Sequence, residues 1–110
     1  MNNDPNGRDY RYKRVTCKDG FSISIQAGAD KYCSPRMRGK EVQYNAVELG
    51  FPSSRDYIIN RFAENEDDPT ETVYGYVPVA QVYLLLTKHG GVREGEVPLG
   101  IPVYGGKDYG

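Results

Sequence analysis

Tryptophan is absent from the 110 residues, histidine occurs once and cysteine twice. A single histidine rules out a His-cluster metal site. Zinc would have to join His89 to Cys17, Cys33 and carboxylates at spacings that match no familiar finger. Two cysteines are too few for a disulfide framework. Cys17 closes a strand-like run, and Cys33 stands in a loop as the more reactive thiol. No apolar run approaches the roughly 20 residues of a transmembrane helix. The polar start, Met1 to Gly7, lacks the apolar stretch of a signal peptide, so the cytoplasm is the expected location. A phosphate-cradling glycine fingerprint and a nucleophile elbow are also missing. No catalytic residue, metal or cofactor is assigned, and binding is expected rather than catalysis.

Charge is divided unevenly along the chain. Residues 8–40 carry nine Lys/Arg against three acids, and residues 41–75 carry eight acids against Arg55 and Arg61. Either the two halves offset each other across neighbouring strands, or the basic half forms a local anion site. A pI near 5.8 argues against non-specific binding to a nucleic-acid backbone.

Residues 1–9 read as a flexible leader, residues 10–91 as one α+β domain and residues 92–110 as an extended C-terminal arm. Tyr10 to Cys17 is a first strand, ended by Lys18-Asp19-Gly20, a hairpin signal. Phe21, Ile23, Ile25 and Ala27 alternate with Ser22, Ser24 and Gln26, the pattern of a half-buried strand. After an aperiodic loop over residues 28–40, Val42 to Phe51 is a third strand with a bulge where its apolar register slips between Ala46 and Val47. Ser53 and Asp56 are placed to cap a first helix with Ile58 and Phe62 on its core stripe. An acidic connector, Glu64 to Pro69, lacks the glycine and terminal glutamate of a calcium loop. Glu71 to Val77 is a fourth strand. Pro78 to His89 is a second helix with Val79, Val82, Tyr83 and Leu86 at helical spacing, Lys88 and His89 at its negative end and Gly90 as cap. The order ββ-β-α-β-α predicts an antiparallel four-stranded sheet with two helices on one face.

Tyrosine is over-represented, with ten copies against three phenylalanines. Its ring stacks while its hydroxyl bonds, the combination used at recognition surfaces. It is equally a good strand former. Tyr32 lies in a loop with Ser34, Arg36 and Arg38, and guanidinium groups contact phosphate while rings stack bases. Tyr44, Tyr74 and Tyr76 complete the ligand-binding set. The second helix starts after Tyr76-Val77-Pro78 with no capping side chain, so the amides of Val79 and Ala80 need acceptors from water, a neighbouring side chain or a ligand anion. A Cys33–His89 nucleophile pair is conceivable only if folding brings the two together.

Several blocks have a familiar form: Val15-Thr16-Cys17-Lys18-Asp19-Gly20-Phe21, Tyr32-Cys33-Ser34-Pro35-Arg36, Val47 to Ser53, Thr72 to Pro78, and Lys88-His89-Gly90-Gly91. Over residues 14–91 the chain resembles a group of small phage proteins, mostly uncharacterised. The resemblance implies a counter-defence role, similar to anti-CBASS sponges that sequester a cyclic nucleotide immune signal, in the host cytoplasm and as a homo-oligomer. It assigns no ligand contact residue by residue. The alternative is a protein-binding inhibitor of a host defence nuclease, an anti-CRISPR or anti-restriction factor whose acidic stretch mimics nucleic acid.

Overall fold

The computed structural model describes residues 11–39 and 41–101. Five strands form one antiparallel sheet: β1 (Val15–Cys17), β2 (Ser22–Gln26), β3 (Ala46–Gly50), β4 (Val73–Pro78) and β5 (Val92–Glu94), in the spatial order β4-β3-β2-β1-β5. A single α-helix, α1 (Val79–Lys88), follows β4, and a short 3-10 turn covers Asn60–Phe62. The four-stranded, two-helix expectation is therefore incorrect on both counts.

The local code explains much of this. The Asp19-Gly20 turn closes β1 onto β2, with the Cys17 amide donating to Phe21 O at 2.7 Å and the Phe21 amide to Asp19 Oδ1 at 2.9 Å. The alternation in β2 buries Ile23 and Ile25 completely. From β3 come Val47 and Leu49, and from β4 Tyr74 and Val77. With Val82, Leu85 and Leu86 of α1, these side chains make one continuous core. Each fully buried Ile, Leu or Val contributes about 2 kcal/mol against the entropy of ordering the chain.

The missing helix has a physical cause. Its expected capping residues are engaged in loop chemistry instead. Ser53 Oγ accepts the Ser22 amide, and the Ser53 amide donates to Ser22 O at 2.8 Å, which fastens the segment to β2. Asp56 Oδ1 accepts the Ile58 amide in a local turn. Of the expected stripe, Ile58 and Phe62 are only half-buried, whereas Ile59 is fully buried. Local side-chain bonds of this kind compete directly with helix formation.

The bulge also lies elsewhere than expected. Val47 pairs with Val77 and Leu49 with Tyr74, so Gly75 and Tyr76 of β4 both oppose Glu48 of β3. The expected C-terminal arm begins as a strand: Thr16 pairs with Glu94 and Cys17 with Val92. Beyond it, Leu99 O accepts the Tyr44 amide at 3.0 Å, and Ile101 is buried. The expected leader and the rest of the arm lie outside the described residues.

Candidate functional site

The β4 bulge creates the most unusual surface. Tyr76 adopts φ of +52°, a left-handed conformation that costs a bulky side chain of order 1 kcal/mol or more. Its amide donates to Tyr32 O at 3.0 Å, which holds the strained residue against the 28–40 loop. The rings of Tyr32 and Tyr76 are tilted by 34° with centroids 5.9 Å apart, and both are open to solvent at 41% and 49%. The Arg36 guanidinium lies 5.8 Å from the centre of the Tyr32 ring, and Arg36 Nε donates to Lys31 O. Gly75 lets Tyr32 pack closely, because a Cβ there would stand 3.3 Å from Tyr32 Cβ and crowd it.

Glu48 joins this group from β3. Its Oε1 accepts the Tyr32 amide at 2.9 Å. Ser34, half-buried, serves mainly through its backbone: its amide donates to Ala46 O, and its carbonyl accepts the amides of Asn45 and Ala46. Arg38 is exposed farther along the loop. Thus Tyr32, Arg36 and Tyr76 of the expected set converge, while Ser34 ties the loop to β3.

Tyr44 and Tyr74 do not join them. Tyr44 is 3% exposed, and its hydroxyl donates to Met37 O at 2.7 Å. Burial pushes its phenol up to about 12. Tyr74 is wholly buried, with its hydroxyl on Pro69 O. Both act as core residues with satisfied polar ends. At the helix start the Val79 amide is taken within the chain, donating to Asn45 O at 3.0 Å, and no side chain caps the helix.

The thiols are equally enclosed. Cys33, expected as a reactive loop residue, is 1% exposed; its Sγ donates to Gly28 O and accepts the Gly28 amide. Burial raises its pKa above the ordinary thiol value, and burial raises Cys17 to about 11. Thiolate chemistry is disfavoured at both.

A second cluster was not foreseen. His89 Nδ1 lies 2.6 Å from Asp19 Oδ2, and Nε2 lies 2.8 Å from Asp56 Oδ2. Ionised carboxylates only accept hydrogen bonds, so this geometry suits an imidazolium donating from both nitrogens. Phe21 stacks on the ring at 4.0 Å and 9°, and Lys88 Nζ reaches Asp56 Oδ2 at 3.1 Å. Burial pushes the Asp56 carboxyl up, but the Ile58 amide, His89 and Lys88 outweigh it and hold the pKa below its ordinary value. The Phe21 amide, aided by His89, likewise lowers Asp19. Gly90 and Gly91 follow at φ of +92° and +90°, and the Gly91 amide returns to Leu86 O to close the helix. His89 therefore has no free nitrogen with which to act as a base, and its partners are carboxylates rather than Cys33. It is a clamp joining the end of α1 to the β1–β2 turn and the 50s loop.

Among the described residues, no group of three or more His, Cys, Asp or Glu side chains is arranged to hold a metal ion. None of their helices is long and apolar enough to cross a membrane. Comparison with known proteins finds no matching family model, curated protein or solved structure.

Proposed function

We propose that this chain binds and holds a cyclic nucleotide without cleaving it, as a phage counter-defence protein acting in the host cytoplasm. The observation that carries the reading is the open Tyr32–Tyr76 pair with Arg36 beside it, mounted on a strained bulge. Exposed rings offer stacking faces to bases, and guanidinium groups offer paired donors to phosphate. Strain retained at an exposed aromatic residue is typical of binding sites, where the surrounding structure maintains a shape that the residue alone disfavours. The block resemblance to small phage proteins supports the biological setting. A cyclic dinucleotide is itself symmetric or nearly so, which favours a homo-oligomer presenting two copies of the patch.

The testing experiment is capture and release. The purified protein is incubated with a panel of cyclic dinucleotides, separated from free ligand, heat-denatured, and the released small molecule identified by mass spectrometry. Recovery of unchanged nucleotide is the expected result. Recovery of hydrolysed product would replace sequestration with catalysis, and no capture would refute nucleotide binding.

A second reading rests on the acidic loop. Glu64, Glu66, Asp67, Asp68 and Glu71 are all exposed, on a segment ordered by turns and joined to β4 through the Glu64 amide and Val73 O. Such a surface fits a protein-binding inhibitor of a host defence nuclease, with the carboxylates imitating nucleic-acid charge. Charge reversal across the loop abolishes inhibition on that reading and leaves nucleotide capture intact on the first.

A further inference from the structure

Among the described residues, Glu48 is the carboxylate bonded to the tyrosine patch. It stands on β3 opposite the two bulged residues, Gly75 and Tyr76. Its Oε1 accepts the amide of Tyr32, the residue that packs over Gly75. The side chain is half-buried, and among the described residues no cation pairs with it. Across the sheet its neighbour is Gln26, whose amide group is already committed to Ser24 and the Tyr12 backbone. No buried side-chain oxygen lacks a partner among the described residues, so the Glu48 oxygen that does not bond Tyr32 is not sealed in the interior. A single backbone bond to Tyr32 would be served equally well by a neutral acceptor. The charge is surplus to that role.

We propose that Glu48 reads the base and makes the patch selective for guanine. This rests on the nucleotide reading above and deepens it. A carboxylate accepts only, and each of its oxygens has two lone pairs. The guanine Watson–Crick edge presents two adjacent N–H donors, N1–H and the N2 amino group, which match two carboxylate oxygens. Adenine presents one amino donor beside the N1 acceptor, whose lone pair faces the carboxylate unfavourably. Cytosine has the same defect, and uracil places its single N–H between two carbonyls. The charge also sets the direction of the ligand. Phosphate is repelled from Glu48 and drawn to Arg36 and Arg38, so the base occupies the bulge end and the phosphate the loop end.

The test measures affinity for cyclic di-GMP and cyclic di-AMP by calorimetry, for wild type and for Glu48→Gln. The variant keeps an oxygen to accept the Tyr32 amide, and its melting temperature reports whether that bond survives. Wild type should favour cyclic di-GMP by at least about tenfold, the scale of charge-assisted hydrogen bonds made to one base and not the other. In Glu48→Gln that ratio should collapse to near one, through loss of cyclic di-GMP affinity. Equal wild-type affinities, or a ratio unchanged in the folded variant, would overturn base reading while leaving nucleotide binding in place. Failure of wild type to bind either ligand would overturn both. If the variant unfolds, the wild-type ratio alone decides.

Discussion

The tyrosine patch and the histidine clamp belong to the same fold but are built on opposite principles. In the clamp every polar atom has a partner: both nitrogens of His89 face carboxylates, and Asp56 accepts from Ile58, Lys88 and His89. At the patch a strained tyrosine, two open rings and a half-engaged carboxylate are left facing water. Satisfied groups hold a fold together, whereas groups left partly unsatisfied at the surface retain something to offer a ligand. The contrast separates two uses of polar chemistry that composition alone merges.

Breaking the clamp should have the largest effect, and on stability only. Asp56→Ala leaves His89 and Lys88 without their shared partner and should lower the folding free energy by about 3 kcal/mol, read from urea denaturation. His89→Ala should cost about 2 kcal/mol in the same measurement. Neither change should alter nucleotide affinity of the folded fraction. Equal losses of affinity and stability would dissolve the distinction between the two regions.

Changes at the patch should do the reverse. Tyr32→Ala and Arg36→Ala should each weaken cyclic nucleotide binding by at least about tenfold, measured by calorimetry, while shifting stability by no more than about 0.5 kcal/mol. Tyr76→Gly is the sharper variant. Glycine accepts the left-handed backbone freely, so relief of about 1 kcal/mol offsets the lost ring contacts. The melting temperature should hold or rise as affinity falls. A large drop in melting temperature would make Tyr76 a packing residue.

The smallest effect concerns acid. Asp19 and Asp56 have folded pKa values below the ordinary 3.8. Below 3.8 the unfolded chain therefore takes up protons more readily than the native one. Their contribution is fully present above that value and is lost as pH falls through the lower, folded values. Urea midpoints should decline as pH falls from about 5 through these carboxylate values, and Asp56→Asn should flatten the decline.

The sequence expresses these regions unequally. The alternation from Phe21 to Ala27 and the helical spacing from Val79 to Leu86 each lie within one element, so periodicity reveals them directly. Ser53 and Asp56 misled because the same side chains that cap helices also close turns, and only the contacts to Ser22, Lys88 and His89 decide between the two. The position of His89 at a helix end was legible, but its partners Asp19 and Asp56 are distant in sequence. Tyrosine type alone did not distinguish buried Tyr44 and Tyr74 from exposed Tyr32 and Tyr76. In β4 the bulge makes that division, placing Tyr74 inside and Tyr76 outside. Val92–Glu94 escaped notice because three residues with one buried side chain show no period.

The pairing of β5 with β1 has a consequence in time as well as in space. Thr16 finds its partner Glu94 only after the long segment between them, residues 17–93, has been made. Until then β1 has one neighbour, β2, and its other edge displays unpaired amides and carbonyls beside Cys17. Closing a loop of that length is entropically slow compared with forming the β1–β2 hairpin or α1. On the ribosome, the interval before β5 emerges is the period in which a nascent chain is most exposed to pairing with a neighbour.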